Sequence, residues 1–355
     1  MSPVYGIMTA ADFMKPDALI AHARRLESLG YASMWITDMF GREIYVTAGY
    51  VLAHTDTIKV ATGIAHIYGR DPIASVQAAR TLSEFSGGRF LQGLGVSHPI
   101  ASQMRGVAWE NPIEKSRAYL SAMRGELPIH TPADAPPVPV FLAAHGPKMM
   151  AFSAELADGA MIYMQTPEGC RHARNILGPD KTLNLVLPTC LTTNPDAARE
   201  AGRRAVSIYL PLPAYQRVWA RAGFDATDWS DRGSYRLVDA YLNWGDLDTI
   251  TNRMHAYLDA GVTNIILGAS PDPTNPASAS ELIEALAPIC QVDWLPLVAA
   301  STPWRPVGPS KEGASETSSL GTVALLARRK SEPVHDGRCA YSLLTSSSNA
   351  AATRK

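Results

Sequence analysis

The stretch SGGRFLQGLGVSHP, residues 86–99, decides the fold. Its middle, Phe90–Gly95, is an apolar strand-like run in which Gly93 and Gly95 carry the spacing that opens a dinucleotide fingerprint. The full G-x-G-x-x-G pattern needs a third glycine at position 98, where His98 stands, and no acidic residue follows at the customary distance. A nucleotide-binding doubly wound sheet therefore loses its signature. What remains is a glycine-lined strand that ends at two polar residues, Ser97 and His98.

Outward from this stretch the same grammar repeats. Short apolar runs at Val4–Met8, Ser33–Thr37, Lys59–Gly63, Phe90–Gly95, Val138–Ala143, Ala160–Tyr163, Leu183–Thr189 and Thr263–Leu267 alternate with helical patterns. Eight βα-like units predict parallel strands, and the count favours a closed (β/α)8 TIM barrel over an open sheet. The punctuation agrees. Pro16 opens a helix that turns Leu19, Ala23, Leu26 and Leu29 to one face, and Gly30 closes it. Asp71-Pro72 predicts a capped helix with Ala78, Leu82 and Phe85 inward, ending at Gly87-Gly88. Asn194-Pro195 repeats the device ahead of a helix over 196–209, and Gly261 precedes the last strand.

Two regions break the rhythm. Residues 211–245 hold Tyr215, Trp219, Phe224, Trp229, Tyr235, Tyr241 and Trp244, an aromatic-rich insertion expected to cover or pair the barrel. From about Ser301 the chain is rich in Ser, Ala and Thr with little periodicity. The barrel is accordingly expected over residues 1–297, followed by a low-complexity, mostly disordered tail over 298–355, with a short helix at 321–330 as one option.

Composition narrows the function. The 355 residues are 46% hydrophobic and 18% charged, with a formal net charge of −1, which offers no positive field for nucleic acid or anionic membrane. Four cysteines, Cys170, Cys190, Cys290 and Cys339, form no C-x-x-C pair, so neither a metal site nor a disulfide framework is expected. No targeting segment or membrane span is evident, and a cytoplasmic location follows as the expectation.

In a parallel barrel, chemistry sits on the loops after the strands. After the second strand, Asp38 leaves on the functional face, followed by Arg42 and Glu43; Asp38 reads equally as a helix cap, and Arg42 as a solvated side chain. After the third come Gly63, Ile64, Ala65 and His66. A glycine here marks a bulge or a close backbone approach that suits a flat ring, and His66 reads either as a cofactor or substrate contact or as a structural donor. After the fourth, Ser97 and His98 reach the same face, and His98 is the best candidate for proton transfer near neutral pH. After the fifth, Ala143, Ala144, His145 and Gly146 precede Pro147 and Lys148. Small residues before a helix leave N–H groups free for an anion, with Lys148 adding charge; an ordinary turn fits the segment as well.

These segments resemble the luciferase-like monooxygenase superfamily, in particular its coenzyme F420-dependent oxidoreductase branch. The likeness runs through LESLGYASMWITD (26–38), KVATGIAHIYGRDP (59–72), TLSEFSGGRFLQGLGVSHP (81–99), PVPVFLAAHGPKM (137–149), AELADGAMIY (154–163), GFDATDWSDRGSYRLVDAYLNWGD (223–246) and HAYLDAGVTNIILG (255–268). It is closest to a subgroup carrying G-V-S-H. The resemblance implies a homodimer that binds F420, or alternatively FMN, at the carboxyl-terminal face. It implies a bulge at Gly63-Ile64, often with a non-prolyl cis peptide, and a cofactor phosphate path along Ala143, Ala144, His145 and Gly146. His66 and Ser97 would lie beside the ring or its side chain, and Gly95 with Ala65 in its surroundings. Two positions depart from better-known deazaflavin dehydrogenases. Met39 stands where they carry histidine, and His98 where they carry glutamate.

The expected activity is hydride transfer between the deazaflavin C5 and an activated C=C, C=N or C=O of a small-molecule substrate, with His98, Asp38 and Ser97 as catalytic candidates. An FMN-dependent monooxygenase and a non-catalytic barrel partner subunit are the alternatives. The reading requires the Gly63, Gly95 and Gly146 neighbourhoods to converge on one site.

Overall fold

The computed structural model describes residues 4–125 and 136–290, all within one compact unit. The expected tail, its optional helix and the end of the expected barrel span lie outside the described residues. Ten strands form, numbered in chain order: β1 (Val4–Thr9), β2 (Ser33–Ile36), β3 (Lys59–Thr62), β4 (Ala65–His66), β5 (Phe90–Gly95), β6 (Val140–Ala143), β7 (Gly159–Tyr163), β8 (Thr182–Leu191), β9 (Asn243–Gly245) and β10 (Asn264–Ala269). Eight of them pair in parallel in the order β1-β2-β3-β5-β6-β7-β8-β10, and the pairing of β10 with β1 closes the ring. The chain is a (β/α)8 TIM barrel. Each of the eight predicted strands is present, with ends shifted by up to two residues. The sequence reading missed β4, which continues beside β5 after a break at Gly63-Ile64, and β9, which pairs in parallel beside the end of β8. Both are too short for periodicity to reveal.

Inside the barrel, one residue from each strand fills the interior: Met8, Trp35, Ala61, Leu91, Phe141, Met161, Val186 and Ile266 pack together. The Trp35 and Phe141 rings lie 5.9 Å apart. This is a packed core and not a pore. The opposite faces of the same strands bury Tyr5, Ile7, Met34, Val60, Phe90, Leu142, Leu185 and Leu267 against the surrounding helices.

The helices, numbered in chain order, include α1 (Pro16–Ser28), α2 (Ile44–Leu52), α3 (Pro72–Ser86), α4 (Pro99–Met104), α5 (Pro112–Met123), α6 (Pro147–Leu156), α7 (Pro167–Leu177), α8 (Pro195–Val206), α9 (Pro213–Arg221) and α10 (Tyr235–Tyr241). Proline at the first helical turn sets where most of them begin, since its missing N–H is unpaired there anyway. Asp71 caps α3 by accepting from the Ile73 and Ala74 N–H groups, and Gly87, at φ 64°, ends it. Phe85 corrects the expectation. It is 81% exposed, whereas Ala78 and Leu82 pack against the core as expected and α3 most fully buries Ser75, Val76, Ala79 and Ser83. The face is set by small residues that let α3 approach β5, which a pattern of large apolar residues could not show. Asn194 caps α8 as expected, but the helix stops at Val206, three residues short.

The insertion has its own core of Trp219, Tyr241, Leu237, Val238 and Tyr215, joined by Val206, Leu210 and Met164. Helices α9 and α10 carry most of it. Met164, directly after β7, is the barrel's contribution.

Candidate active site

Backbone strain marks the carboxyl-terminal end of the barrel. Among the described residues, four non-glycine residues have positive φ, and three of them follow barrel strands directly: Ile64 after β3 (φ 103°), Ser97 after β5 (φ 62°) and Met164 after β7 (φ 52°). For β-branched Ile64 such a conformation is a true outlier. Strained residues of this kind cost about 1–3 kcal/mol each and persist where the surrounding structure enforces them, commonly at functional sites. No cis peptide occurs among the described residues, so the expected cis bond at the bulge is replaced by the twisted Ile64 backbone.

Gly63 serves a close backbone approach, though not to a ring. Its N–H donates to Ile36 O at 2.6 Å, and an added Cβ would meet Ile36 O and Met8 Sδ, each at 2.8 Å. The space at Gly95 is also taken. A Cβ there would lie 2.6 Å from Ile64 Cγ2 and 3.0 Å from Ala143 Cβ, and one at Gly93 would lie 3.2 Å from Ile64 Cδ1. The glycines of β5 thus make room for the side chain of Ile64, which lies across them. Ile64, Gly95 and Ala143 meet as a small apolar floor from three strand exits.

Asp38 ties the exit of β2 to that of β3. Its Oδ2 accepts from the His66 backbone N–H at 2.9 Å and lies 3.8 Å from His66 Nδ1. It does not cap the next helix; Glu43 does, accepting from the Val46 N–H. Arg42 is not solvated either. Its guanidinium donates to the Ala11 and Met14 carbonyls after β1. Beyond His66 stands Arg105, just after α4, with Nη2 at 3.5 Å from His66 Nδ1. Burial pushes the His66 pKa down, Asp38 pulls it up, and Arg105 lowers it further.

Across the mouth, His98 and His145 flank Tyr215 of α9, with ring centroids 5.8 and 4.6 Å from it. Tyr215 also contacts Tyr209 at 4.5 Å, and Tyr209 lies 5.1 Å from Tyr163 at the end of β7. The insertion therefore covers the mouth, as its composition suggested. Burial pushes the His98 pKa below its usual value, and nearby His66 adds to that. The His145 pKa is pushed down to about 4, by burial and then by His98. The Nδ1 of His145 is buried with no hydrogen-bond partner among the described residues.

Two cavities lie at the strand exits, one reached by Ala144, next in the chain to Ala143, and the other by Ala65, next to Ile64. One, of about 340 Å³, lies between the starts of α6 and α7 and is lined by Ala144, His145, Gly146, Gln165, Thr166 and Arg221, among others. Gly146 provides no side-chain cap for α6, whose first-turn N–H groups lack a side-chain acceptor, whereas Thr166 caps α7 by accepting from Gly169. Arg221 supplies a cation here, and Glu168 places a carboxylate in the same lining. Lys148, expected to do so, is exposed and does not line the cavity. The other cavity, of about 240 Å³, lies beside the exits of β2 and β3 and is lined by Asp38, Ala65 and His66 together with Arg105. Arg221 and Arg105 were missed by the sequence reading, which named Tyr215 only as part of the covering insertion. They come from loops and insertion helices with no periodic relation to the strands they face. Among the described residues no cluster of metal-ligating side chains occurs, and no helix is long and apolar enough to cross a membrane.

With this geometry in view, the comparisons with known proteins are specific. The family described as luciferase-like monooxygenase matches residues 5–264. A 5,10-methylenetetrahydromethanopterin reductase from Methanolobus tindarius is 27% identical over 310 residues, covering 76% of this chain and 95% of that protein. Among solved structures, the coenzyme F420-dependent tetrahydromethanopterin reductase from Methanopyrus kandleri aligns with a TM-score of 0.65 at 19% identity, covering 81% of this chain and 98% of that one. The oxygenating constituent of 3,6-diketocamphane monooxygenase from Pseudomonas putida, in complex with FMN, aligns with a TM-score of 0.61 at 15% identity, covering 81% and 97%. These structural likenesses speak to the fold, and the match over residues 5–264 to membership: the chain belongs to the luciferase-like monooxygenase family.

Proposed function

We propose that this chain is a coenzyme F420-dependent oxidoreductase acting on a small-molecule substrate at the mouth of its barrel. The observation that carries the reading is that one strand exit serves both the strained floor at Ile64, Gly95 and Ala143 and the cavity at the start of α6, since Ala143 belongs to the floor and the next residue, Ala144, lines the cavity. A deazaflavin or flavin has the matching form, a flat ring tethered to a phosphate. The residues fit such a group in two respects. The α6 N-terminus has no side-chain cap, and the buried Nδ1 of His145 awaits a partner. The reductase from Methanolobus tindarius and the F420-dependent structure from Methanopyrus kandleri favour the deazaflavin.

In this reading the N–H groups at Gly146 and the first turn of α6, with Arg221, hold the phosphate, and Ala143, Ala144 and His145 line its path. Ile64 backs the ring from its seat across Gly95, with Gly63 holding the turn behind it and Ala65 and Ser97 beside the ring. When bound, the deazaflavin supplies or accepts the hydride at C5. His98 moves the accompanying proton to or from the substrate. Its depressed pKa leaves the imidazole neutral near pH 7, ready to accept a proton in the oxidative direction. Asp38 holds His66 and, with Ser97, borders the reacting space. The insertion excludes water through Tyr209 and Tyr215. Tyr215 must yield when the ring enters, because its ring now lies between His98 and His145.

A cytoplasmic homodimer completes the reading. Val46 and Tyr50, one turn apart on α2, are 72% and 41% exposed, an apolar stripe suited to a second copy.

The FMN-bound neighbour supports the second reading, an FMN-dependent monooxygenase on the same floor. Titration of the purified chain with F420 and with FMN, followed by fluorescence, separates the two. Saturable binding of F420 alone is expected. Binding of FMN alone transfers the assignment to oxygen chemistry, and binding of neither leaves a non-catalytic barrel.

A further inference from the structure

We propose that the cavity beside the exits of β2 and β3 is a substrate subsite for a carboxylate, and that Arg105 binds it. Three arginines border this cavity, and they differ in what they already hold. Arg42 is committed to the Ala11 and Met14 carbonyls. Arg70 pairs with Glu43 and lies over the Tyr45 ring, 4.4 Å from its centroid. Arg105 has no carboxylate partner among the described residues. Its guanidinium stands 5.0 Å from the Phe40 ring centroid, Nη2 makes one long contact to His66 Nδ1, and Nε is buried with no partner among the described residues.

A buried donor on a charged group that goes unused costs free energy, and a ligand that takes it up recovers that cost. A guanidinium offers parallel N–H groups that match the two oxygens of a carboxylate. The two acidic residues of the cavity do not fill this role. Asp38 accepts from the His66 N–H and forms no ion pair with Arg105 among the described residues, each lying near His66 Nδ1, and Glu43 is engaged by Arg70 and the Val46 N–H. Burial lowers the His66 pKa more than Asp38 raises it, and Arg105 lowers it further, so among the described residues Arg105 is the cation without a carboxylate partner on this cavity. Met39 and Phe40, 40% and 55% exposed, form an apolar ledge beside it on which the rest of an organic acid can lie. The bound molecule is called a substrate on the strength of the preceding section; the carboxylate site itself does not depend on it.

The test uses the full chain, with benzoate and benzamide as matched probes in titration calorimetry. The wild type is expected to bind benzoate at least tenfold tighter than benzamide. Arg105→Gln should erase that preference, a loss of roughly ten- to a hundredfold for a charge-assisted pair. Arg105→Lys should keep part of it, and both variants should bind F420 with the wild-type Kd. Equal affinity of the wild type for the two probes overturns the proposal without any variant. So does a preference that survives Arg105→Gln, or displacement of benzoate by F420, which would assign Arg105 to the cofactor. If F420 fails to bind at all while the Arg105-dependent preference persists, the cofactor reading falls and the carboxylate site stands.

Discussion

The ring of Tyr215 lies 4.6 Å from that of His145, so a side chain of the insertion seals the exit of β6. The contact joins two regions separated by about a fifth of the chain, and it sets how the barrel mouth opens. Tyr215 is 4% exposed and belongs to the insertion's own core, so any movement that admits a ring works against that packing.

Tyr215→Ala should therefore act on stability and on the mouth together. Loss of a buried aromatic side chain costs about 3–5 kcal/mol, and partial collapse places this site at the lower end. Thermal melts are expected to show that loss, and stopped-flow dissociation of F420 should be faster than in the wild type. Unchanged dissociation would mean that the ring never passes Tyr215.

His145 gives the protein an acid-sensitive point. Its folded pKa is about 4 against an ordinary 6.5, so the unfolded state takes up the proton first as pH falls. The contribution is fully present above pH 6.5 and is lost progressively below it. By pH 5 the loss comes to about 2 kcal/mol from this residue. Urea melts at pH 7 and pH 5 should differ by that amount in the wild type and by clearly less in His145→Ala. An identical acid response in the two proteins would assign the effect elsewhere.

His98→Ala should lower turnover by about a hundred- to ten-thousandfold, the usual worth of a positioned acid or base. F420 affinity should stay near the wild-type value. Because the His98 pKa lies below its usual value, oxidation by the wild type should rise with pH through that depressed pKa and then level, while reduction should fall. Pre-steady-state rates measured across pH in both directions check this. Wild-type turnover by His98→Ala would dispose of the role.

Gly95→Ala places a methyl 2.6 Å from Ile64 Cγ2 and 3.0 Å from Ala143 Cβ, so the floor must shift. Overpacking of this kind costs about 1–3 kcal/mol. Weaker F420 binding is expected beyond the change in melting temperature, readable by fluorescence titration at a temperature where the variant is fully folded. Affinity equal to the wild type would show that the ring does not rest on Ile64.

Much of the fold was legible because its causes are local. Asp71-Pro72, Asn194-Pro195 and Gly87 act through bonds within a few residues, so their sequence reads directly as helix ends. The eight short apolar runs, each followed by a helical pattern, declare the strands for the same reason, and their number declares the closed barrel. Phe85 was misread because periodicity reports which residues are apolar and not which neighbour a helix approaches.

The candidate site divides along the same line. Sequence alone determined that polar and small residues, Asp38, His66, Ser97, His98 and Gly146, follow the strands, because strand direction and the parallel topology bring every such exit to one face. Only the tertiary structure decided what fills the space between them: Ile64 across Gly95, Tyr215 between His98 and His145, and Arg105 behind His66. The physical reason is that contacts across a barrel mouth join residues with no fixed spacing along the chain. Neither a period nor a motif encodes them; they exist once closure has set the distances.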